Sequence, residues 1–287
     1  MNLQKCRYLL SLIILLLICN CGEEKIGRKE DKRGYPKRIV SLAPSITESL
    51  YLLGVEDRVV GVTVYCKYPE QAKMKDKVGT LLTPNLERIY SLRPDLVLAT
   101  REGNREKTIK RLRDLGLKVF VFDERRDFRD ICNQFLILGK MVGKRKEAMS
   151  IVNEAKKRFL KIKRKAIHFP KVKVFWEIGA RPLVTVAKGT FSDQIIRTAG
   201  GVNIAHRSQV RYPRYSLEEV IRKDPDVIIL VEMGDITSEE IKSWQRFKDL
   251  SAVKNRRIYT IEAHSVCSPT PITFVKGVEE VFHLLHY

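Results

Sequence analysis

The side chains best suited to proton transfer or metal ligation near neutral pH are five histidines: His168, His206, His264, His283 and His286. Only His283 and His286 stand at helical spacing, and a zinc centre built on that pair would need a third ligand. A terminal helix carries two histidines for many other reasons, so no metal site is expected there. His206 and His264 fall in predicted loops after strands and are the better candidates for contact with a ligand. Ser45 follows a strand, but the GxSxG turn that exposes a hydrolase nucleophile is absent, and a helix-cap role accounts for it. Gly139 to Lys144 has three residues between its glycines and follows a helix, so it is no phosphate loop, and no GxGxxG turn occurs for a dinucleotide. These patterns point away from catalysis.

Acids recur in a more informative way. Leu86-Glu87-Arg88-Ile89 followed by Pro94-Asp95-Leu96-Val97-Leu98 returns, without a gap and 131 residues later, as Leu217-Glu218-Glu219-Val220 followed by Pro225-Asp226-Val227-Ile228-Ile229. That offset far exceeds the period of a solenoid repeat. In each copy a short amphipathic helix opens with an acid, stops at a proline and leads into an apolar run too short for a helix. Apolar runs covered on both faces and alternating with helices belong to parallel sheets, so each half is read as an α/β lobe. At 287 residues the chain has length for two such lobes.

The elements that carry these residues follow from periodicity and punctuation. In the first half, strands are expected at Arg38 to Leu42, Val59 to Val62 and Val119 to Phe122. Helices are expected at Thr47 to Leu53 and Glu106 to Leu115, with Val64 to Leu82 irregular. From Phe128 to about Ile167 no proline intervenes and apolar residues keep helical spacing; Gly139 and Gly143 are expected to divide the stretch in two, and its second part, Lys144 to Ile167, suits a stiff spine linking the lobes. The second half should open with the strand Val172 to Trp176. Helix Ser192 to Ala199, helix Thr237 to Phe247, strand Arg257 to Ile261 and helix Thr273 to Leu285 complete it. The expected organisation is a leader at 1–20, a flexible tether at 21–37, an N-terminal lobe at 38–127, the linking helices at 128–168 and a C-terminal lobe at 169–287.

The leader carries Lys5 and Arg7, then an apolar run from Tyr8 to Cys19 that is short for a membrane span, and reads as an export signal. The segment after it is charged and glycine-rich, as a flexible tether should be. Of six cysteines, Cys66, Cys132 and Cys267 belong to the body, which leaves room for at most one disulfide and no CxxC metal site. The formal charge is +20, two less without Lys5 and Arg7. Export and the lack of interleaved aromatics argue against nucleic acid, and a solvated basic face near an anionic membrane fits better.

Ile18-Cys19-Asn20-Cys21 resembles the lipobox of bacterial lipoproteins, which implies acylation of Cys21. RIVSLAPSITESLYLLG from Arg38, the YPEQ stretch from Tyr68 and NLERIYSLRPDLVLA from Asn85 resemble the periplasmic solute-binding proteins of cobalamin and iron-siderophore ABC importers. So do REGN from Arg101, LGLKVF from Leu115, AGGVNI from Ala199 and SLEEVIRKDPDVIIL from Ser216. The resemblance implies two Rossmann-like lobes with parallel sheets, joined by a long rigid helix and holding a ligand in the cleft between them, with small closure motions. It implies a monomer whose partners are a permease and its ATPase, reached through Glu87 and Glu218, one on each lobe. The implied ligand is a metal chelate, a cobalamin-like corrinoid or else a ferric siderophore or heme, with no intrinsic cofactor and no enzymatic activity. Family cleft positions fall on Tyr65 and Tyr212, and on Leu81 and Thr100 where tryptophans are usual. Arg101, Arg181 and Arg211 near the predicted cleft could meet ligand carboxylates. The reading from another class is an exported chelatase-like enzyme acting on a tetrapyrrole; it needs a cleft acid or base that no cluster supplies.

Overall fold

The computed structural model describes residues 34–232, 238–267 and 269–287. The expected leader, Cys21 and the tether as far as residue 33 lie outside them, as does Thr237. Residues 35–287 form one compact unit.

The repeat resolves into two parallel sheets of the same strand order. In the first, β1 (Ile39–Ser41), β2 (Val59–Val62), β3 (Leu96–Thr100) and β4 (Val119–Phe122) run in the order β2-β1-β3-β4, all parallel. Helices α1 (Pro44–Leu52), α2 (Leu86–Ser91) and α3 (Glu106–Asp114) connect them. Then come α4 (Phe128–Met141) and α5 (Arg145–Ala166). The second sheet is built on β5 (Val172–Ala180), with β6 (Leu183–Thr185), α6 (Phe191–Thr198), β7 (Gly201–Asn203), α7 (Leu217–Lys223) and β8 (Val227–Glu232) following in the chain. Helices α8 (Ser238–Gln245) and α9 (Ser251–Lys254) lead to β9 (Ile258–Glu262), and α10 (Ala263–Cys267) and α11 (Pro271–His286) close the fold. Strands β7, β5, β8 and β9 are parallel and repeat the first order, while β6 pairs antiparallel with the far end of β5.

The repeated phrase has the same local physics twice. Asn85 and Ser216 cap α2 and α7 by accepting from the backbone N–H of Arg88 at 2.9 Å and Glu219 at 3.2 Å. Arg93 and Asp224, each just before the proline, take positive φ of 47° and 41° and turn the chain from helix into strand. Asp95 accepts from the N–H of Lys37 and Arg38, and Asp226 from that of Lys173, so each motif aspartate fastens the start of its strand to the neighbouring one. β3 is buried throughout and β8 for its first five residues, which accounts for their unbroken apolar runs.

Several boundaries differ from expectation for local reasons. α1 starts at Pro44, whose missing N–H costs nothing at a helix start, so Ser45 lies inside the first turn and is no cap. α6 is capped by Thr190, and α11 starts at Pro271 behind a Thr270/Thr273 capping box. β5 runs four residues beyond Trp176 because β6 folds back onto it, and neither β6, β7 nor α10 was foreseen. Of the two glycines expected to break the spine, Gly143 does so, at φ +80°. Gly139 stays within α4 as a contact point, where a Cβ would stand 2.4 Å from that of Ala148 on α5.

The apolar faces form three clusters. The outer two are local, one under β3 and α3 and one under β8 and α8. The third is continuous from Ile39 and Leu98 of the first sheet, through Phe128, Phe135 and Val152 of α4 and α5, to Trp176, Ile229 and Phe274 of the second lobe. Phe128 stacks on Phe159 and Phe274, with ring centroids 4.7 and 5.1 Å apart. Arg158 of α5 grips Glu279 of α11 through two bonds of 3.0 and 2.6 Å, which ties the spine to the last helix.

On the outer side of the second sheet Glu177 is 1% exposed and accepts from the indole N–H of Trp244 at 2.7 Å. Burial, with Glu240 nearby adding to it, pushes its carboxyl up to about 7. Because the folded value lies above the unfolded one, this group's contribution to stability is complete below about pH 4.5 and is lost as pH rises towards 7. Glu177→Gln keeps the acceptor for Trp244 and should raise unfolding free energy at pH 8 by about 3 kcal/mol while changing little at pH 4, read by urea unfolding at both. Gly139→Ala should cost about 1–2 kcal/mol, since the added methyl must separate two packed helices. An unshifted urea midpoint would show that the helices separate freely.

Candidate functional site

The carboxyl ends of both sheets converge on a cleft between the lobes, where open α/β sheets bind their ligands. Its main chamber is ≈ 780 Å³. Pro44, Glu48, Tyr65, Tyr68 and Leu81 line it from the first lobe, and Glu232, Glu262, His264 and Cys267 from the second. A smaller chamber of ≈ 320 Å³, reached past Cys267, is walled by Ile178, Phe191, Tyr212 and Val266. On the other side lies a third space of ≈ 780 Å³ against Tyr51, Glu56, Asp57 and Met74.

Glu48, Tyr68 and His264 line both large spaces and form the wall between them. Glu48 Oε2 and His264 Nε2 are 2.9 Å apart across the lobe boundary, and the Tyr68 and His264 rings stack with centroids 3.9 Å apart. Both ends of this bond are largely covered, at 13% and 25% exposure, so it is a desolvated, charge-assisted contact. On the far side Arg125 reaches from the first lobe into the second. Its guanidinium donates to the carbonyl of Pro269 at 3.2 Å and stands 5.5 Å over the Phe191 ring. Burial holds its proton less tightly than usual, and Glu102 opposes that. The backbone N–H of Phe128 donates to Gln194 at 2.7 Å across the same seam.

Among the sequence-expected residues, the structure brings Tyr65, Leu81 and His264 together in the main chamber and sets Tyr212 in the adjoining one. His264 lies on α10 and not in a loop. Thr100 is 5% exposed and turned inward: its hydroxyl accepts from Gly103 N–H at 3.1 Å, and it borders a ≈ 20 Å³ seam beside Arg125 and neither the main nor the adjoining chamber. Arg101 projects to solvent beside Asp123, Arg181 sits exposed in the β5–β6 turn, and neither lines a chamber. Arg211 pairs with Glu124 of the first lobe and lies over Tyr212. The cleft is therefore not ringed by arginines. Glu48, Glu232 and Glu262 face it with Lys67, and Glu280 behind them has its carboxyl raised by burial and by Glu262 and Glu232.

Glu48, Tyr68, Arg125 and Cys267 were not singled out as site residues. Tyr68 lies in the quoted YPEQ stretch, but Glu48 reads as an ordinary polar position of a helix, and Cys267 as a lone thiol. The Cys267 side chain is open to the chamber, but the cleft walls around it desolvate the thiol and push it up to about 11, so it stands there as a neutral group. His286 uses its Nε2 on the carbonyl of Ala199 at 2.8 Å, and His283 stacks on Tyr287. Among the described residues no group of three His, Cys, Asp or Glu is placed to hold a metal. Glu87 and Glu218 are exposed in the first turns of α2 and α7. Because those helices run back against β3 and β8, their N-termini stand at the carboxyl end of each sheet, on the cleft side. Glu218 is held below the ordinary carboxyl range by its backbone N–H and the Ser216 hydroxyl.

Two α/β lobes on a helical spine, with an interlobe cleft faced by aromatic and carboxylate groups, define a solute-binding protein. The chain belongs to the periplasmic binding protein family, whose model matches residues 39–264. The vitamin B12-binding protein of Vibrio cholerae is 30% identical over 245 residues, 85% of this chain and 87% of its own. A crystal structure of that periplasmic protein matches with a TM-score of 0.76 over 87% of this chain and 96% of its own. A possible iron-binding periplasmic solute-binding protein from Staphylococcus epidermidis is 29% identical, with a TM-score of 0.78 over 88% of this chain and 100% of its own. An uncharacterized ABC transporter substrate-binding lipoprotein of Bacillus subtilis is 31% identical over 252 residues, 86% of this chain and 79% of its own. Each of these relatives is described as a binding protein.

Proposed function

We propose that this chain is an exported, lipid-anchored, non-enzymatic binding protein that captures a cobalamin-like corrinoid and hands it to the permease of an ABC importer. The observation that carries the ligand class is the charge of the cleft. A macrocycle fringed with uncharged amides can lie against Tyr65, Tyr68 and His264 beside Glu232 and Glu262, whereas the carboxylates of a heme would meet like charge in the main chamber. Arg211, the guanidinium nearest Tyr212, is already paired with Glu124. Kinship with the vitamin B12-binding protein supports the same reading. A ferric chelate is the second reading, favoured by the iron-binding description of the Staphylococcus epidermidis relative.

In this reading Tyr65, Leu81, Tyr212 and His264 contact the ligand, while Thr100, Arg101 and Arg181 lie outside the main chamber. Glu87 and Glu218 dock the lobes onto cationic groups of the permease; their repeat-related places at the cleft side support this, and two exposed acids on a +20 chain offer local complementarity to such a partner. Cys21 carries the lipid, a role supported by the lipoprotein description of the Bacillus subtilis relative.

Titration calorimetry of the body against cyanocobalamin, cobinamide, hemin and ferric siderophores tests the ligand. A corrinoid should bind with a Kd of about 1 μM or tighter and leave unchanged on dilution. Silence towards corrinoids with a siderophore or heme signal would replace the first reading by the second. The Glu87→Ala/Glu218→Ala double variant should keep ligand affinity within about twofold and bind the permease at least about tenfold more weakly. Undiminished docking would remove the role from these two residues.

A further inference from the structure

A second concave surface lies on the C-terminal lobe, away from the cleft. It is a basin of ≈ 510 Å³ lined by Lys173, Arg197, His206, Arg207 and Lys223, and among the described residues that line it there is no carboxylate. Lys173 stands near the start of β5, five residues before Ile178 of the small cleft chamber, which separates the two by roughly 17 Å of extended strand.

The basic groups are held from behind. Asp193, fully buried on α6, accepts from Arg197 Nε at 3.0 Å through one oxygen, and from His206 Nδ1 at 2.8 Å and Asn203 Nδ2 at 2.9 Å through the other. Arg197 and His206 remain 52% and 35% exposed, so one buried carboxylate fixes their inner nitrogens and leaves the outer ones directed outward. Lys223 spends two donors, on the carbonyl of Ile204 at 2.7 Å and the hydroxyl of Tyr215 at 3.3 Å, and Lys173 one, on the carbonyl of Lys223 at 3.2 Å. Each ammonium has three donors and the guanidinium five, so unspent N–H groups remain on all three.

We infer that this basin is a second binding site, specific for a phosphate group. Four permanent cations with one buried counter-ion leave an excess of positive charge in a concave wall. A guanidinium fork beside ammonium donors suits tetrahedral phosphate oxygens. With Nδ1–H committed to Asp193, neutral His206 Nε2 accepts from the P–OH of a hydrogen phosphate, and when protonated it donates to an oxygen. The phosphate can be free in solution or belong to the headgroup of an anionic lipid.

The body from Tyr35 suffices for the test, because it is one compact unit and the corresponding part of this chain matches 96% and 100% of the chains of two solved relatives. Inorganic phosphate, pyrophosphate and citrate are titrated calorimetrically, and flotation is measured with neutral phosphatidylcholine vesicles and with vesicles containing 30% (about one third) phosphatidylglycerol. Saturable one-to-one binding of phosphate or pyrophosphate, weakened at least about tenfold by Arg197→Gln or Arg207→Gln, supports a free phosphate ligand. Flotation only with the anionic vesicles and equally sensitive to those exposed substitutions supports a lipid headgroup. Lys110→Gln on α3, an equal loss of charge elsewhere, should change neither, and His264→Ala in the cleft should leave both intact. The inference is overturned by tighter binding of citrate than of pyrophosphate, by equal sensitivity to Lys110→Gln, or by the absence of saturable binding to any of these probes.

Discussion

One hydrophobic core passes from the first sheet through the helical spine into the second, and the cleft exists because of how it does so. Phe128, Phe159 and Phe274, from three helices, stack where the lobes would otherwise part. Such a junction is close-packed, and it resists the large rotations that a flexible two-strand hinge permits. The lobes are thus set at a nearly fixed spacing, and the open end of the gap between them is left for a ligand. Gly139 against Ala148 and Arg158 against Glu279 serve this junction too, one by allowing close approach and the other by fixing the spine to the last helix.

On that frame, the contacts across the boundary are polar and few. Arg125 fills the closed side, and Glu48 with His264 crosses the open side. A bond of the second kind can be exchanged for contacts with a ligand, because both partners retain some exposure, whereas the buried Arg125 has no solvent to turn to. The asymmetry assigns rigidity to one edge of the cleft and adaptability to the other.

The charge distribution gives one small body two concavities of opposite character. Net charge is +20, yet Glu48, Glu232 and Glu262 outnumber Lys67 in the main chamber, while an outer surface gathers basic residues in the Asp193-organised basin. Local field, and not net charge, decides what each concavity attracts.

The sequence by itself determined the duplicated helix–proline–strand units, the parallel strands and the spine, because these follow from periodicity, capping residues and prolines acting over a few residues. It marked Tyr65 and Leu81 as cleft positions through family resemblance and His264 as a ligand candidate from its place after a strand, and the structure joins the three in one chamber. Only the tertiary structure decided that Thr100 turns inward, that Arg101 and Arg181 face solvent, and that Glu48 meets a histidine 216 residues away. The same holds for β6 and β7, three-residue strands too short to carry a period and present only because β5 offers them partners. Side-chain direction in loops at strand ends is set by what packs beneath them, and that packing comes from distant parts of the chain.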